Sequence, residues 1–90
     1  MKISRLCVIS GTVQGVNYRH STLQEAKKLG LTGWVRNTDD GSVECLLCGQ
    51  SNDVETLTRW LYKGPPAANV LKVETKDVPY EEHASFSITS

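Results

Sequence analysis

Two stretches with helical spacing of apolar residues lie between runs that alternate like β-strands, and this order constrains the fold more than any other feature of the chain. Gly30 follows the first helical stretch and Gly64 the second, as expected at helix ends. The order β-α-β-β-α-β with an added C-terminal strand predicts an α+β fold, the ferredoxin-like α/β sandwich: an antiparallel sheet with both helices on one face. The predicted strands cover residues 3–10, 31–37, 42–47, 69–76 and 84–88, and the predicted helices cover residues 18–29 and 53–63, the second capped by Asn52.

This topology predicts where two polar side chains lie. A right-handed crossover through a helix makes the first two strands parallel, so their C-terminal ends reach the same edge of the sheet. Arg19 follows the first strand, and Asn37 ends the second. With the third strand between them, the two strand ends are about 10 Å apart. A loop and a long Arg side chain can close that gap, so we expect Arg19 and Asn37 to converge.

Residues 11–19 form the connection from the first strand to the first helix and have the sequence GTVQGVNYR. Gly11 and Gly15 allow the backbone to turn its N–H groups towards one point, and the first amides of a helix beginning at Tyr18 have no intrahelical acceptor. Arg19 adds a planar, charged fork suited to phosphate. These features indicate an anion-binding loop. The alternative is a tight turn followed by a solvated Arg side chain.

Length, charge and cysteine content limit the possible classes. Ninety residues predict one domain, residues 1–90, and ten basic residues balance ten acidic ones. A pI near 6.7 shows no electrostatic footprint for nucleic acid or an anionic membrane, and no apolar run is long enough for an export signal or a membrane span. We therefore expect a cytoplasmic monomer without nucleic-acid or membrane partners.

The three cysteines, Cys7, Cys45 and Cys48, are expected to be buried and reduced. Cys45 and Cys48 have the spacing of a redox pair, but they lie in an alternating strand and not at a helix start. Their opposite parity places Cys48 on the other face of the sheet. Two histidines, His20 and His83, have no neighbouring ligand residues, so no metal site is predicted.

Four segments of the chain carry a family pattern: GTVQGVNYR at residues 11–19, GWVRNTDDGSVE at residues 33–44, GPPA at residues 64–67 and FSI at residues 86–88. They closely resemble the acylphosphatase family, and the similarity covers nearly the whole chain. One departure is Tyr18, because the family commonly has Phe before the Arg, and a buried Tyr hydroxyl needs a hydrogen-bond partner.

The resemblance implies a hydrolase that cleaves the carboxyl-phosphate anhydride of small acyl phosphates, without a metal, a cofactor or a covalent intermediate. It implies that Arg19 holds the phosphoryl oxygens and that Asn37 orients the attacking water. The proton of that water would pass to the substrate's own phosphate oxygen; the alternative is a general base such as His20, which we expect to be a surface residue. The resemblance further implies a cradle of backbone N–H groups from Gln14, Gly15, Val16, Asn17 and Tyr18.

Two other functions stay open at this point. The same sandwich hosts non-catalytic modules that bind phosphate or nucleotides. The chain is also similar to the acylphosphatase-like domain of larger carbamoyl-transfer maturation enzymes. The sequence contains no second cluster of residues that would recognise the acyl part of a substrate, so it does not indicate the physiological acyl phosphate.

Overall fold

A computed structural model describes residues 1–90 and contains two helices and one five-stranded sheet. The strands lie in the order β4-β1-β3-β2-β5. Neither helix is long and apolar enough to cross a membrane. The elements are β1 (Lys2–Thr12), α1 (Tyr18–Lys28), β2 (Thr32–Asn37), β3 (Val43–Gln50), α2 (Ser51–Lys63), β4 (Asn69–Val78) and β5 (Phe86–Ile88).

The predicted sandwich is confirmed, with one correction at the edge of the sheet. Strands β1 to β4 pair antiparallel, and β3 lies between β1 and β2 as expected. The added strand β5 runs parallel to β2, with Gly33 opposite Phe86 and Val35 opposite Ile88, so the sheet is mixed. After β4, at one edge of the sheet, the chain crosses to the opposite edge, where β5 begins beside β2. Entering at the end of the sheet where β4 finishes, β5 runs in the same direction as β2.

Both helices pack on one face of the sheet. Their apolar side chains join those of the inward-facing strand positions in a single core. The helix α2 contributes Val54, Leu57 and Leu61, as its spacing predicts. In α1 the buried positions are Tyr18, Thr22 and Ala26, so the core-facing stripe starts at the first residue of the helix.

The start of α2 differs from the prediction. Gln50 occupies the N-cap position and no side chain caps the helix, so Asn52 lies inside the first turn. Glu55, three positions after Asn52, accepts a hydrogen bond from Arg5 of β1 at 3.0 Å and so does not complete a cap with Asn52. A cross-element ion pair therefore replaces the local cap.

The cysteines behave as predicted. All three thiols are free and buried. Cys7 and Cys45 are directly opposite in the β1–β3 ladder and belong to the core, whereas Cys48 lies beyond that core, against Ser4 of β1, whose hydroxyl is 3.0 Å from the thiol sulfur. The segment between β4 and β5 covers this site, because the N–H of Glu81 donates to the Ser4 hydroxyl at 2.9 Å.

Candidate active site

A cavity of about 210 Å³ opens at the edge of the sheet where β1 and β2 end. The predicted site residues Gly15, Asn17, Tyr18, Arg19 and Asn37 line it, whereas Gln14 and Val16 do not. The topology of parallel strands thus brings two distant segments to one place. The remaining lining residues are Val13, His20 and Ile88.

The connection between β1 and α1 (residues 13–17, the β1–α1 loop) turns through two left-handed residues. Gly15 has φ 76° and Asn17 has φ 67°, and Asn17 is the only residue other than glycine with positive φ in the chain. Such a conformation in a residue with a Cβ is uncommon and concentrates at functional sites. Gly11, expected to help turn this loop, instead lies within β1, where a Cβ would collide with the backbone of Asn69 in β4.

The backbone N–H groups of this loop are without hydrogen-bond acceptors in the main chain. None of the backbone N–H groups of residues 14–20 donates to a backbone carbonyl. Three belong to the first turn of α1, which carries no acidic side chain, so the positive end of the helix dipole faces the cavity without internal compensation. Successive unpaired N–H groups at a helix start form a concavity suited to an anion.

Arg19 and Asn37 meet at one oxygen atom. The Nη1 of Arg19 donates to the main-chain oxygen of Ser90, and the backbone N–H of Asn37 donates to the same oxygen at 3.3 Å. This shared acceptor shows that an oxygen can contact the guanidinium and lie beside β2 at the same time. The expected convergence of the two residues is therefore present.

The side-chain oxygen Oδ1 of Asn37 has no hydrogen-bond partner. It is the only buried side-chain nitrogen or oxygen atom in the protein in that state. An unsatisfied buried acceptor costs about 1–3 kcal/mol, so a protein retains one where a ligand or a water completes it. Asn37 also lines the cavity, so its side chain is available to a molecule that enters there.

The hydroxyl of Tyr18 has found a partner. It donates to the carbonyl of Leu61 in the last turn of α2 at 2.6 Å, and the ring lies 5.7 Å from that of Trp60. The residue four positions after Leu61 is Pro65, which has no N–H, so this carbonyl would otherwise be unpaired. Burial raises the pKa of Tyr18 well above its ordinary value, so the hydroxyl stays protonated and can donate.

The side chain of Gln14 joins the loop to the turn between β2 and β3 (residues 38–42, the β2–β3 turn). Its Nε2 donates to the carbonyl of Thr38 at 2.9 Å and to that of Ser42 at 2.8 Å. Sequence reasoning considered only the backbone of Gln14. No residue pattern could have pointed to this contact, because both acceptors are main-chain atoms, which every residue carries.

Two further residues at the cavity extend the predicted site. His20 is exposed, as expected, and it also lines the cavity. Ile88 reaches the cavity from β5, and sequence reasoning missed it because its position depends on the parallel pairing of β5 with β2. No three His, Cys, Asp or Glu side chains are grouped so that they could hold a metal ion.

Comparisons with known proteins identify the family of this chain. The acylphosphatase family profile matches residues 6–88. An acylphosphatase from Azoarcus sp. (strain BH72) is 51% identical over 83 residues, which are 92% of this chain and 85% of that protein.

Solved structures show the same fold. An acylphosphatase from Coxiella burnetii has a TM-score of 0.95 at 38% identity, covering 98% of this chain and 93% of that chain. One from Bacillus subtilis also has a TM-score of 0.95, at 34% identity, covering 98% of this chain and 99% of that chain. With the family profile spanning most of its length and relatives this similar, the chain belongs to the acylphosphatase family.

Proposed function

We propose that this protein hydrolyses acyl phosphates to a carboxylate and inorganic phosphate, with Arg19 and the loop amides holding the phosphoryl group and Asn37 positioning the water. Membership of the acylphosphatase family supports acyl phosphate hydrolysis as the reaction class. The observation that carries the residue roles is that Asn37 and Arg19 line one cavity, and that the buried Oδ1 of Asn37 has no hydrogen-bond partner in the protein. An acceptor without a donor, at the same cavity as a cation, suits a water molecule next to a bound anion.

In this proposal the phosphoryl group enters the β1–α1 loop. The unpaired N–H groups of Gly15, Asn17 and Tyr18 contact its oxygens, and the guanidinium of Arg19 exchanges the Ser90 oxygen for a phosphoryl oxygen. A phosphoryl group presents charged oxygens that the planar guanidinium can bind in pairs, which favours this exchange. Gln14 and Val16 lie outside the cavity lining, so we assign them no direct contact with the substrate.

The chemical step requires little beyond this arrangement. The water donates one hydrogen bond to Oδ1 of Asn37, its oxygen attacks phosphorus, and the bond from phosphorus to the acyl oxygen breaks. The leaving carboxylate has a pKa near that of a Glu side chain, about 4.3, so it leaves without a general acid. The water's proton passes to a phosphoryl oxygen. Because charge in this transition state is spread over the phosphoryl oxygens, Arg19 and the amides supply the neutralisation and no metal or cofactor is needed.

The experiment is an assay of benzoyl phosphate hydrolysis with three variants. Asn37→Ala should lower kcat by about 10²-fold or more while leaving inhibition by inorganic phosphate nearly unchanged, because it removes positioning and not binding. Arg19→Ala should lose both turnover and inhibition by inorganic phosphate. Asn52→Ala, an exposed asparagine on α2, is the matched control and should behave as the wild type. Full turnover by Asn37→Ala would contradict the role of this residue.

A direct measurement of phosphate binding, made alongside this assay, separates the enzyme from a binding module. A wild-type protein that binds phosphate, loses that binding in Arg19→Ala and yet hydrolyses nothing would be a non-catalytic phosphate-binding domain. Addition of a chelator to the assay should leave the rate unchanged, since the proposed site uses only side chains and amides.

A further inference from the structure

We propose that Gln14 is a positioning residue that acts through Asn37: its carboxamide locks the β1–α1 loop to the β2–β3 turn and so holds Asn37 in place against the phosphoryl site. The inference rests on the function proposed above. It concerns a side chain that does not reach the cavity, which is why contact with the substrate does not explain it.

Both donors of the Gln14 carboxamide are used in this lock. Nε2 carries two hydrogens, and it has two carbonyl acceptors, Thr38 O at 2.9 Å and Ser42 O at 2.8 Å. These carbonyls stand at the two ends of the β2–β3 turn, and Ser42 O also accepts the N–H of Thr38 at 2.9 Å. A single nitrogen therefore holds both ends of the turn, and Thr38 is the residue directly after Asn37.

The loop has few other ties that could do this. The N–H groups of residues 14–17 make no backbone hydrogen bonds. A hydroxyl contact of 3.5 Å joins Ser10 in β1 to Ser42 at the end of the turn, but it does not involve the loop itself. Without Gln14, no hydrogen bond would join residues 13–17 to the turn, and misplacement by about 1 Å can cost about 10²-fold in rate.

The chemistry of the contact requires an amide nitrogen. A glutamate at this position has nearly the same shape but no donor, so its carboxylate would face two carbonyl oxygens. Methionine has similar length and no donor, and it adds no charge. The pair Gln14→Glu and Gln14→Met thus separates the loss of the lock from the addition of a negative charge near a site for anions.

The test is steady-state hydrolysis of benzoyl phosphate, together with inhibition by inorganic phosphate. For Gln14→Met we expect kcat to fall by about 10- to 100-fold while the inhibition constant for phosphate changes less than about threefold, since Arg19 and the amides are intact. Gln24→Met, an exposed glutamine on α1, is the control and should retain wild-type values. Wild-type kcat in Gln14→Met would overturn the proposal. So would a loss of phosphate affinity as large as that of Arg19→Ala, which would make Gln14 a binding group.

A double variant shows whether Gln14 acts through Asn37. If it does, Gln14→Met combined with Asn37→Ala should be no slower than Asn37→Ala alone. Multiplied losses would mean that the two residues act separately and would reject the proposal. Failure of the proposed function is recognised independently, because then Asn37→Ala keeps full activity or the wild type has none. Urea unfolding of each variant shows that the comparison is made between folded proteins, and Gln14→Glu provides the lock-free variant if Gln14→Met does not fold.

Discussion

At the scale of single residues, the two ionisable or polar neighbours of Arg19 have different environments. His20 follows Arg19 on α1 and is exposed at the rim of the cavity, whereas Asn37 is half-buried with its Oδ1 fully enclosed and unpartnered. A base that removes the water's proton must lie within hydrogen-bond distance of that water. In the proposed mechanism the water lies at Asn37, on the β2 side of the cavity, and we expect the phosphoryl oxygen to accept its proton.

We therefore predict a shallow effect for His20→Ala. Turnover of benzoyl phosphate should fall less than about tenfold, because only the rim of the cavity changes, and general acid–base groups typically contribute 10²- to 10⁴-fold. The measurement is kcat for His20→Ala and Arg19→Ala in parallel. Equal, deep losses in the two variants would replace the phosphoryl oxygen with His20 as the proton acceptor.

Tyr18 is a second case in which one atom decides the effect. In Tyr18→Phe the carbonyl of Leu61 loses its donor, and Pro65 cannot replace it, so we expect the free energy of unfolding to fall by about 1–2 kcal/mol in urea titrations. The pH dependence should change as well. Because burial in the folded protein raises the pKa of Tyr18, the stability that its hydroxyl contributes is complete below about pH 10 and declines as the pH rises above that value.

The Phe variant should lack that part of the alkaline decline. Urea midpoints measured between about pH 8 and pH 11 on both proteins would show the two stability curves approaching one another as the pH rises. Parallel curves would mean that the Tyr18 hydroxyl ionises as freely in the folded state as in the unfolded one.

At the scale of elements, the C-terminal end of α2 supports the start of α1. The contact depends on Gly64, which has φ 66° and ψ −170°, a conformation that is essentially restricted to glycine. A Cβ at this position would lie 2.6 Å from Cε2 of the Tyr18 ring. The C-terminal end of α2 and the first residue of α1 therefore pack against each other, although 43 positions separate Tyr18 from Leu61 in the chain.

Gly64→Ala should damage both stability and catalysis. We expect the free energy of unfolding to fall by more than about 1 kcal/mol, together with a lower kcat, because the ring of Tyr18 must move. Gly30→Ala is the matched control, since Gly30 has φ 70° with open space around its Cβ position. It should lose stability through backbone strain but keep kcat. If the two variants have the same kcat, the contact between the end of α2 and Tyr18 does not contribute to catalysis.

Much of the fold and half of the site could be predicted from the sequence, for reasons visible in particular elements. The start of α1 at Tyr18 follows from the interpretation of residues 11–19 as an anion-binding loop, and the position of β3 between β1 and β2 follows from crossover handedness. The cap of α2 could not be predicted, because Glu55 is held by Arg5 from β1, a partner 50 positions away. The Ser90 oxygen and the carbonyls bound by Gln14 are main-chain atoms, and their positions depend on the packed fold and not on residue type.

At the scale of the whole molecule, the three thiols report on the integrity of the fold. Cys7 and Cys45 have no exposed surface and Cys48 has 1%. A hydrogen bond with Cys7, together with burial, raises the pKa of the Cys45 thiol, and burial raises that of Cys48. Since the thiolate is the reactive form, the native protein should be inert towards thiol reagents.

We predict that Ellman's reagent modifies no thiol in the native protein at neutral pH and three per chain in urea. The three sites lie in the central strands β1 and β3, so their exposure requires loss of the sheet. The time course of labelling at low urea should then follow unfolding measured by circular dichroism. A thiol that reacts at once in buffer would reveal a local opening of the sheet around that strand.

Because the N–H groups of residues 14–20 are unpaired, the free energy of unfolding of this protein should depend on the anions in the buffer. We expect the folded chain, which presents these donors, to bind anions as proposed above, and the unfolded chain not to bind them. By mass action, an anion at a hundred times its dissociation constant adds about 2.7 kcal/mol to the free energy of unfolding. A melting temperature measured in phosphate buffer should therefore contain a binding term. Melting curves recorded in an amine buffer at the same pH, with increasing concentrations of phosphate, would titrate the active site.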